Sequence, residues 1–231
     1  MATTVAEIIQ RFSANEAQFQ QALVNYTFTQ DVTLQTLNGK HVDGEYRMGM
    51  EVSYDSRGKR LERVNFAPRS TLTRLTLTTQ DLDDIRSLAD FSFTPDNLSK
   101  YEVRYVGQQH VDELDTYAFD IKPLQLRGKD RYFQGRLWVD TRDDVIVKTC
   151  GKRVPDLQDK RMENKSPKFV TYRELIDGQY WFPTYVRADD FLSFARSTVR
   201  LHEVIKFTNY HAVRAKPVGD SISTKSSSQK P

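Results

Sequence analysis

The chain has 231 residues, of which 38% are hydrophobic, 28% charged and 11% aromatic, and its formal net charge is +3. That balance points to a folded domain, and the small, dispersed positive surplus, without a dense Lys/Arg cluster, argues against nucleic acid as a partner. The single cysteine, Cys150, excludes an intramolecular disulfide framework and a thiolate zinc site, and no run approaches the ~20 apolar residues of a transmembrane helix.

The first residues, Met1-Ala2-Thr3-Thr4, carry neither a basic nor an apolar export-signal region, so taken literally the chain reads as cytoplasmic, and the mature fragment of an exported protein would read the same. Thr4 and Glu7 stand at capping-box spacing. Val5, Ile8, Ile9, Phe12, Phe19 and Leu23 follow at helical intervals and form one apolar stripe. Near Asn25 the period changes to two. Tyr26, Phe28, Val32 and Leu34 share one face of a strand, interrupted by Gln30. Asn38-Gly39 is a type I′ hairpin signal. The return strand places Val42, Tyr46, Met48, Met50, Val52 and Tyr54 inward, interrupted by Gly44. A turn at Ser56 to Lys59 leads to a third strand around Leu61 to Phe66. Such alternation predicts a sheet with one wet and one covered face.

Thr78 and Asp81 can cap a second helix carrying Leu82, Ile85 and Leu88, and Thr94-Pro95 opens a short third one near Leu98. Strands resume at Tyr101 to Tyr105, Tyr117 to Ile121, Phe133 to Val139 and Val145 to Lys148. Gly151 to Lys168, polar and interrupted by proline, reads as a long loop. Further strands are predicted at Val170 to Leu175, Tyr180 to Ala188 and Val199 to Phe207. From about Lys216 the Ser/Lys-rich composition predicts disorder. The expected organisation is one domain over residues 1–214 and a tail over 215–231.

Catalytic signals are sparse. His41, His110, His202 and His211 each lack a second His or Cys at metal-ligand spacing and read as surface strand residues. Of the acidic pairs, Asp112-Glu113, Asp143-Asp144 and Asp189-Asp190 sit in or beside predicted turns, and Asp83-Asp84 in the first turns of a helix. No feature brings two pairs across a cleft as a glycosidase needs. There is no phosphate-binding glycine loop and no G-x-S-x-G elbow. Cys150 has basic neighbours in Lys148, Lys152 and Arg153, but no identifiable His partner.

The apolar sheet face remains. Its plainest reading is a core packed beneath helices. Two features favour a ligand cavity instead. Met48 and Met50 are adjacent on one face, and methionine suits varied partners. The face also looks too extensive for two or three short helices to fill.

The run Tyr132 to Asp140, followed by Val145 to Lys148, resembles a hairpin of the LolA-like outer-membrane lipoprotein-sorting proteins. The shared elements are Gly135, then Leu137-Trp138-Val139-Asp140, then Lys148 on the return strand; Tyr180 to Thr184, after the turn at Asp177-Gly178, resembles the family's next strand. The resemblance extends over roughly residues 5–210. It implies a strongly curved antiparallel sheet, an incomplete barrel whose concave face is covered by helices. It also implies a periplasmic protein that shelters acyl chains. Relatives with this fold instead regulate anti-sigma factors as sensors of envelope stress, or bind glycolipids. This chain departs from the standard carrier in its longer strand-rich C-terminal half.

The expected protein is therefore α+β, with roughly nine to eleven strands in one curved sheet. Its expected role is non-enzymatic transport of lipid or lipoprotein acyl chains, with no cofactor and no metal. A membrane protein is a possible donor or acceptor. By the facing argument, the acyl cavity is lined by Phe28, Val32, Leu34, Tyr46, Met48, Met50 and Val52. Leu82, Ile85, Leu88, Phe91 and Phe93 come from a lid weakened by Asp90, Thr94 and Pro95. The rivals are an envelope signalling or scaffold protein binding a protein partner, and a hydrolase using the acidic pairs.

Overall fold

In the computed structural model, residues 4–127, 130–155, 166–194 and 197–213 are described. The tail expected over 215–231 lies outside them, as do residues 156–165 of the expected loop. The first helix, α1 (Val5–Leu23), starts where the spacing predicts. The Thr4 hydroxyl accepts from the Glu7 amide, and the Glu7 carboxylate accepts from the Thr4 amide at 2.7 Å. Its inward face carries Ile8, Phe12 and Phe19.

Ten strands follow in one antiparallel sheet. They are β1 (Tyr26–Asn38), β2 (His41–Tyr54), β3 (Arg60–Phe66), β4 (Tyr101–Val111), β5 (Leu114–Pro123), β6 (Tyr132–Asp140), β7 (Ile146–Val154), β8 (Phe169–Ile176), β9 (Tyr180–Phe194) and β10 (Ser197–Ala212). Two short helices, α2 (Thr79–Arg86) and α3 (Pro95–Leu98), lie between β3 and β4. The order across the sheet is β3-β2-β1-β10-β9-β8-β7-β6-β5-β4. The fold is α+β, and the sheet does not close: β3 and β4 are its two edges. The helices and the 67–78 segment cover the concave face.

Burial follows the period-two reading in β1, whose residues from Tyr26 to Thr36 alternate buried and partly exposed. Gln30 keeps the phase although it is polar, because its carboxamide is satisfied. It donates to the Arg86 carbonyl at 2.9 Å and accepts from Arg60.

Four expectations are corrected. The β1–β2 turn is Gly39-Lys40, closed by the Asn38–His41 pair, and only Gly39 has positive φ, at 62°. That is the pattern of a type II′ turn rather than type I′. Val42 is 50% exposed, because the register shifts between Thr36 and Leu37 and carries it off the core face. Gly151 to Val154 is strand, the second half of β7, where Gly151 pairs with Gly135. Asp189-Asp190 lies within β9, which runs on past Ala188.

Candidate functional site

The residues expected to line an acyl cavity are brought together. Phe28, Val32, Leu34, Met48, Met50, Val52, Ile85, Leu88 and Phe93 belong to one buried cluster, with Tyr46 and Phe91 packed against it. Leu82 is half-buried and is not part of that cluster. The cluster is largely filled by the protein itself. Phe12 of α1 enters from above and lies 5.4 Å from the Phe119 ring of β5. Phe93 meets Phe133 at 5.7 Å, and Phe91 meets it at 5.4 Å. The 19-residue α1 and two short helices suffice because the aromatic side chains between α2 and β4 are large and the 67–78 segment adds Leu72, Leu75 and Leu77.

The expected lid is tied down at several points. Glu62 of β3 pairs with Arg86 at 3.3 Å, and Arg60 pairs with Asp90 at 3.2 Å. Arg131 reaches Asp84 at 3.1 Å, and Arg153 donates to the Ser87 hydroxyl at 3.0 Å. Asp90, read from the sequence as a weak point, is an anchor.

Two spaces remain open on this side of the sheet: one of about 150 Å³ among Phe19, Leu23, Phe28, Tyr54, Phe207 and Tyr210, and one of about 50 Å³ between α2 and the concave face. Leu34, Leu75, Leu77, Leu88, Leu192 and Leu201 make the apolar wall of the smaller one. Of the expected acyl-lining set, only Leu34, Ile85 and Leu88 reach that smaller space. Ligand pockets for drug-sized molecules run to roughly 300–1,000 Å³, so neither space holds a long acyl chain as it stands.

The opposite wall of the smaller space is polar and was not read from the sequence. Arg131, Arg153, Asp84 and Glu203 line it, beside Asp81 and Ser166. Burial pushes the Glu203 carboxyl up to about 8, against a smaller opposing pull from Arg153. Burial also lowers the pKa of Arg153, opposed chiefly by Asp84. Glu203 Oε1 and the Nε atoms of Arg131 and Arg153 are buried without a hydrogen-bond partner. One signal was visible: Glu203 is an acid in the apolar phase Val199, Leu201, Ile205, Phe207 of β10. Nothing local marks Arg131 or Arg153 as its neighbours.

The other polar candidates stay apart. His110 meets Asp115 at 3.0 Å and His202 meets Asp189 at 2.7 Å, both at the surface. Asp143 and Asp144 receive Asn15 of α1 through their carbonyls, and Asp190 accepts the Lys168 amide. Among the described residues no group of three His, Cys, Asp or Glu side chains could hold a metal ion. No described helix is long and apolar enough to cross a membrane.

Fold and site together define an α+β half-barrel with a helix-covered concave face. No protein-family model matches the chain, and no curated protein does. Among solved structures it is similar to a DUF1329 family protein from Desulfovibrio piger, at 15% identity over 88% of this chain and 92% of that one, with a TM-score of 0.47. It is also similar to a LolA superfamily protein from Nitrosomonas europaea, at 14% identity over 94% and 96%, with a TM-score of 0.41. A third likeness is to MucB in a MucA/MucB complex from Pseudomonas aeruginosa, at 12% identity over 84% and 93%, with a TM-score of 0.26.

Proposed function

We propose that this chain is an envelope scaffold protein whose half-barrel binds a protein partner at its surface. The observation that carries this reading is that the concave face is already filled by the protein's own aromatic side chains and a tied-down lid. The binding capacity then lies outside, and β3 is the candidate surface. It is a sheet edge paired with β2 alone, and Leu61, Val64 and Phe66 are 45%, 48% and 54% exposed. An apolar edge with an unpaired row of backbone groups is a template for an added strand. Strand addition supplies backbone hydrogen bonds, and the exposed apolar side chains supply selectivity.

The test is affinity purification of wild-type chain and Val64→Lys from the native envelope. One stoichiometric protein partner retained by the wild type and lost by the variant, with an unchanged thermal midpoint, supports the reading. Acyl lipid co-purifying in native mass spectrometry, with no protein partner, overturns it.

A second reading keeps acyl binding, with Phe28, Val32, Leu34, Tyr46, Met48, Met50, Val52, Leu82, Ile85, Leu88, Phe91 and Phe93 as the lining. The apolar cavity under α2 favours it, since an eight-residue helix that lifts would enlarge that space. In this reading the periplasm is the compartment and a lipid or lipoprotein acyl chain the ligand.

A further inference from the structure

Strand β3 is set apart by exposure and by charge. Its residues from Leu61 to Phe66 are all exposed, and no other described strand has so long an uncovered run. From Arg57 to Arg69 the chain carries Arg57, Lys59, Arg60, Arg63 and Arg69 against Glu62 alone, a surplus of +4 where the whole chain has +3. Part of that surplus is matched. Arg60 turns inward to Glu62 at 2.9 Å and to Asp90 at 3.2 Å, and Arg63 pairs with Glu51 of β2 although its side chain stays 79% exposed. Asp55, just upstream, is committed to the turn, its carboxylate accepting from the backbone amides of Arg57 and Lys59 at 2.9 Å each. The Arg57, Lys59 and Arg69 side chains are exposed and form no ion pair with any described residue. Two cations thus stand just before the strand and one just after it.

That charge selects among the occupants an open edge can take. A second copy of the chain is disfavoured, because β3 against β3 sets these cations against each other. Strand β4, the other edge, is broken by a register shift between Tyr105 and Gly107, where Gly107 has φ of +139°, and such bulges keep edges from pairing. A β3-to-β4 contact between copies is also heterologous and runs on into an open fibre. The chain's own residues 215–231 carry Lys216, Lys225 and Lys230 against Asp220, so their charge repeats that of the edge instead of complementing it. A bare anionic surface complements the charge but leaves the outward N–H and C=O groups of β3 unpaired, and only another strand pairs them.

We infer that β3 receives an extended segment of a partner protein that is apolar at alternate positions and acidic at both ends. This rests on the strand-addition reading and adds the chemistry of the added strand to it. Val64 pairs with the buried Met50, so an apolar partner residue beside Val64 continues the covered face by one strand. At ~3.3 Å per residue a segment of about ten residues runs the length of β3 and past both ends. Its terminal Asp or Glu side chains then lie beside Arg57 and Lys59 at one end and Arg69 at the other.

The test is an NMR titration of the full chain, following the backbone amide signals of Leu61 to Phe66. The probes are synthetic peptides with one alternating Val/Thr core and Glu, Gln or Lys pairs at both ends, a Glu-ended peptide with prolines in the core, and phosphatidylglycerol vesicles. Saturable shifts with the Glu-ended peptide, at least about tenfold tighter than with the Lys-ended one and with the Gln-ended one between them, support the inference. So does loss of that preference in the combined variant Arg57→Gln, Lys59→Gln, Arg69→Gln, whose side chains are exposed and whose thermal midpoint is expected to stay unchanged. The preference is also expected to fade at about 1 M salt, where the screening length is ~3 Å. Equal binding of the Glu-ended and Lys-ended peptides overturns the acidic partner and leaves strand addition standing. Equal binding of the proline-containing peptide, or stronger perturbation by the vesicles than by any peptide, shows attraction without a strand and overturns both. Absence of shifts with every peptide at about 1 mM also overturns both.

Discussion

Glu16 of α1 and Arg173 of β8, 157 residues apart, form a buried ion pair that fastens the first helix to the far half of the sheet. Their side chains are 3% and 4% exposed. A second contact, Arg173 Nη2 to Glu16 Oε2, measures 3.3 Å, and the Phe93 amide donates to the same carboxylate at 3.4 Å. The guanidinium lies 4.6 Å from the centre of the Phe19 ring. The pair therefore joins α1, β8 and the segment after α2. Glu16→Ala is expected to cost about 3–5 kcal/mol, because it strands a buried guanidinium. Replacing both partners with methionine is expected to be far milder, since no charge is then left unpaired. Urea unfolding of the single and double variants measures the difference, and equal losses would contradict this account.

Met50 and Glu51 test the facing of β2. Met50 is fully buried, whereas Glu51 is at the surface and pairs with Arg63 on β3. Met50→Asp is expected to destabilise by more than about 3 kcal/mol through an unpaired buried charge. Glu51→Ala, which removes one exposed ion pair, is expected to cost under about 1 kcal/mol. Thermal unfolding decides it, and two variants behaving alike would mean a wrong register.

Glu203 gives the fold a pH dependence of definite sign. Its carboxyl is raised from an ordinary 4.5 to about 8 on folding, chiefly by burial. Between those values the folded chain holds a proton that the unfolded chain releases, so stability falls as pH rises through that window. Glu203→Gln removes this slope. Comparing unfolding free energies at about pH 5 and pH 9, the wild type is expected to lose on the order of 3–5 kcal/mol more than the variant. Parallel curves would show that Glu203 is ionised throughout.

Gly135 and Gly151 face each other across β6 and β7. A Cβ on Gly135 would lie 2.2 Å from the Cys150 carbonyl oxygen, and one on Gly151 2.3 Å from that of Gln134. Both obstacles are backbone, so neither can rotate away. Gly135→Ala is expected to destabilise by more than about 2 kcal/mol or to break this strand pair. Gly178→Ala meets no atom within 4 Å and strains only φ, at +67°, for about 1 kcal/mol. Circular dichroism melts of the two variants give the comparison.

Much of the architecture was legible because its causes are local. The Thr4/Glu7 and Thr78/Asp81 spacings place helix starts through hydrogen bonds spanning three residues. The alternation in β1 assigns each side chain a face because successive strand residues point to opposite sides. The same pattern is silent about what covers that face. Gln30 breaks the alternation on paper, and it belongs in the core only because Arg86 and Arg60, 56 and 30 residues away, satisfy it. Gly44 looks like a lapse until the backbone of Leu72 is found crossing where a Cβ would stand, at 2.9 Å. Whether the apolar face holds a ligand or a core depends on Phe12, Phe91 and Phe93 arriving from distant segments to fill it. The polar wall joins Asp84, Arg131, Arg153 and Glu203 from four parts of the chain. Local sequence determines which way a side chain points; only the tertiary structure decides what it meets, because burial and charge pairing are set by neighbours that sequence distance does not predict.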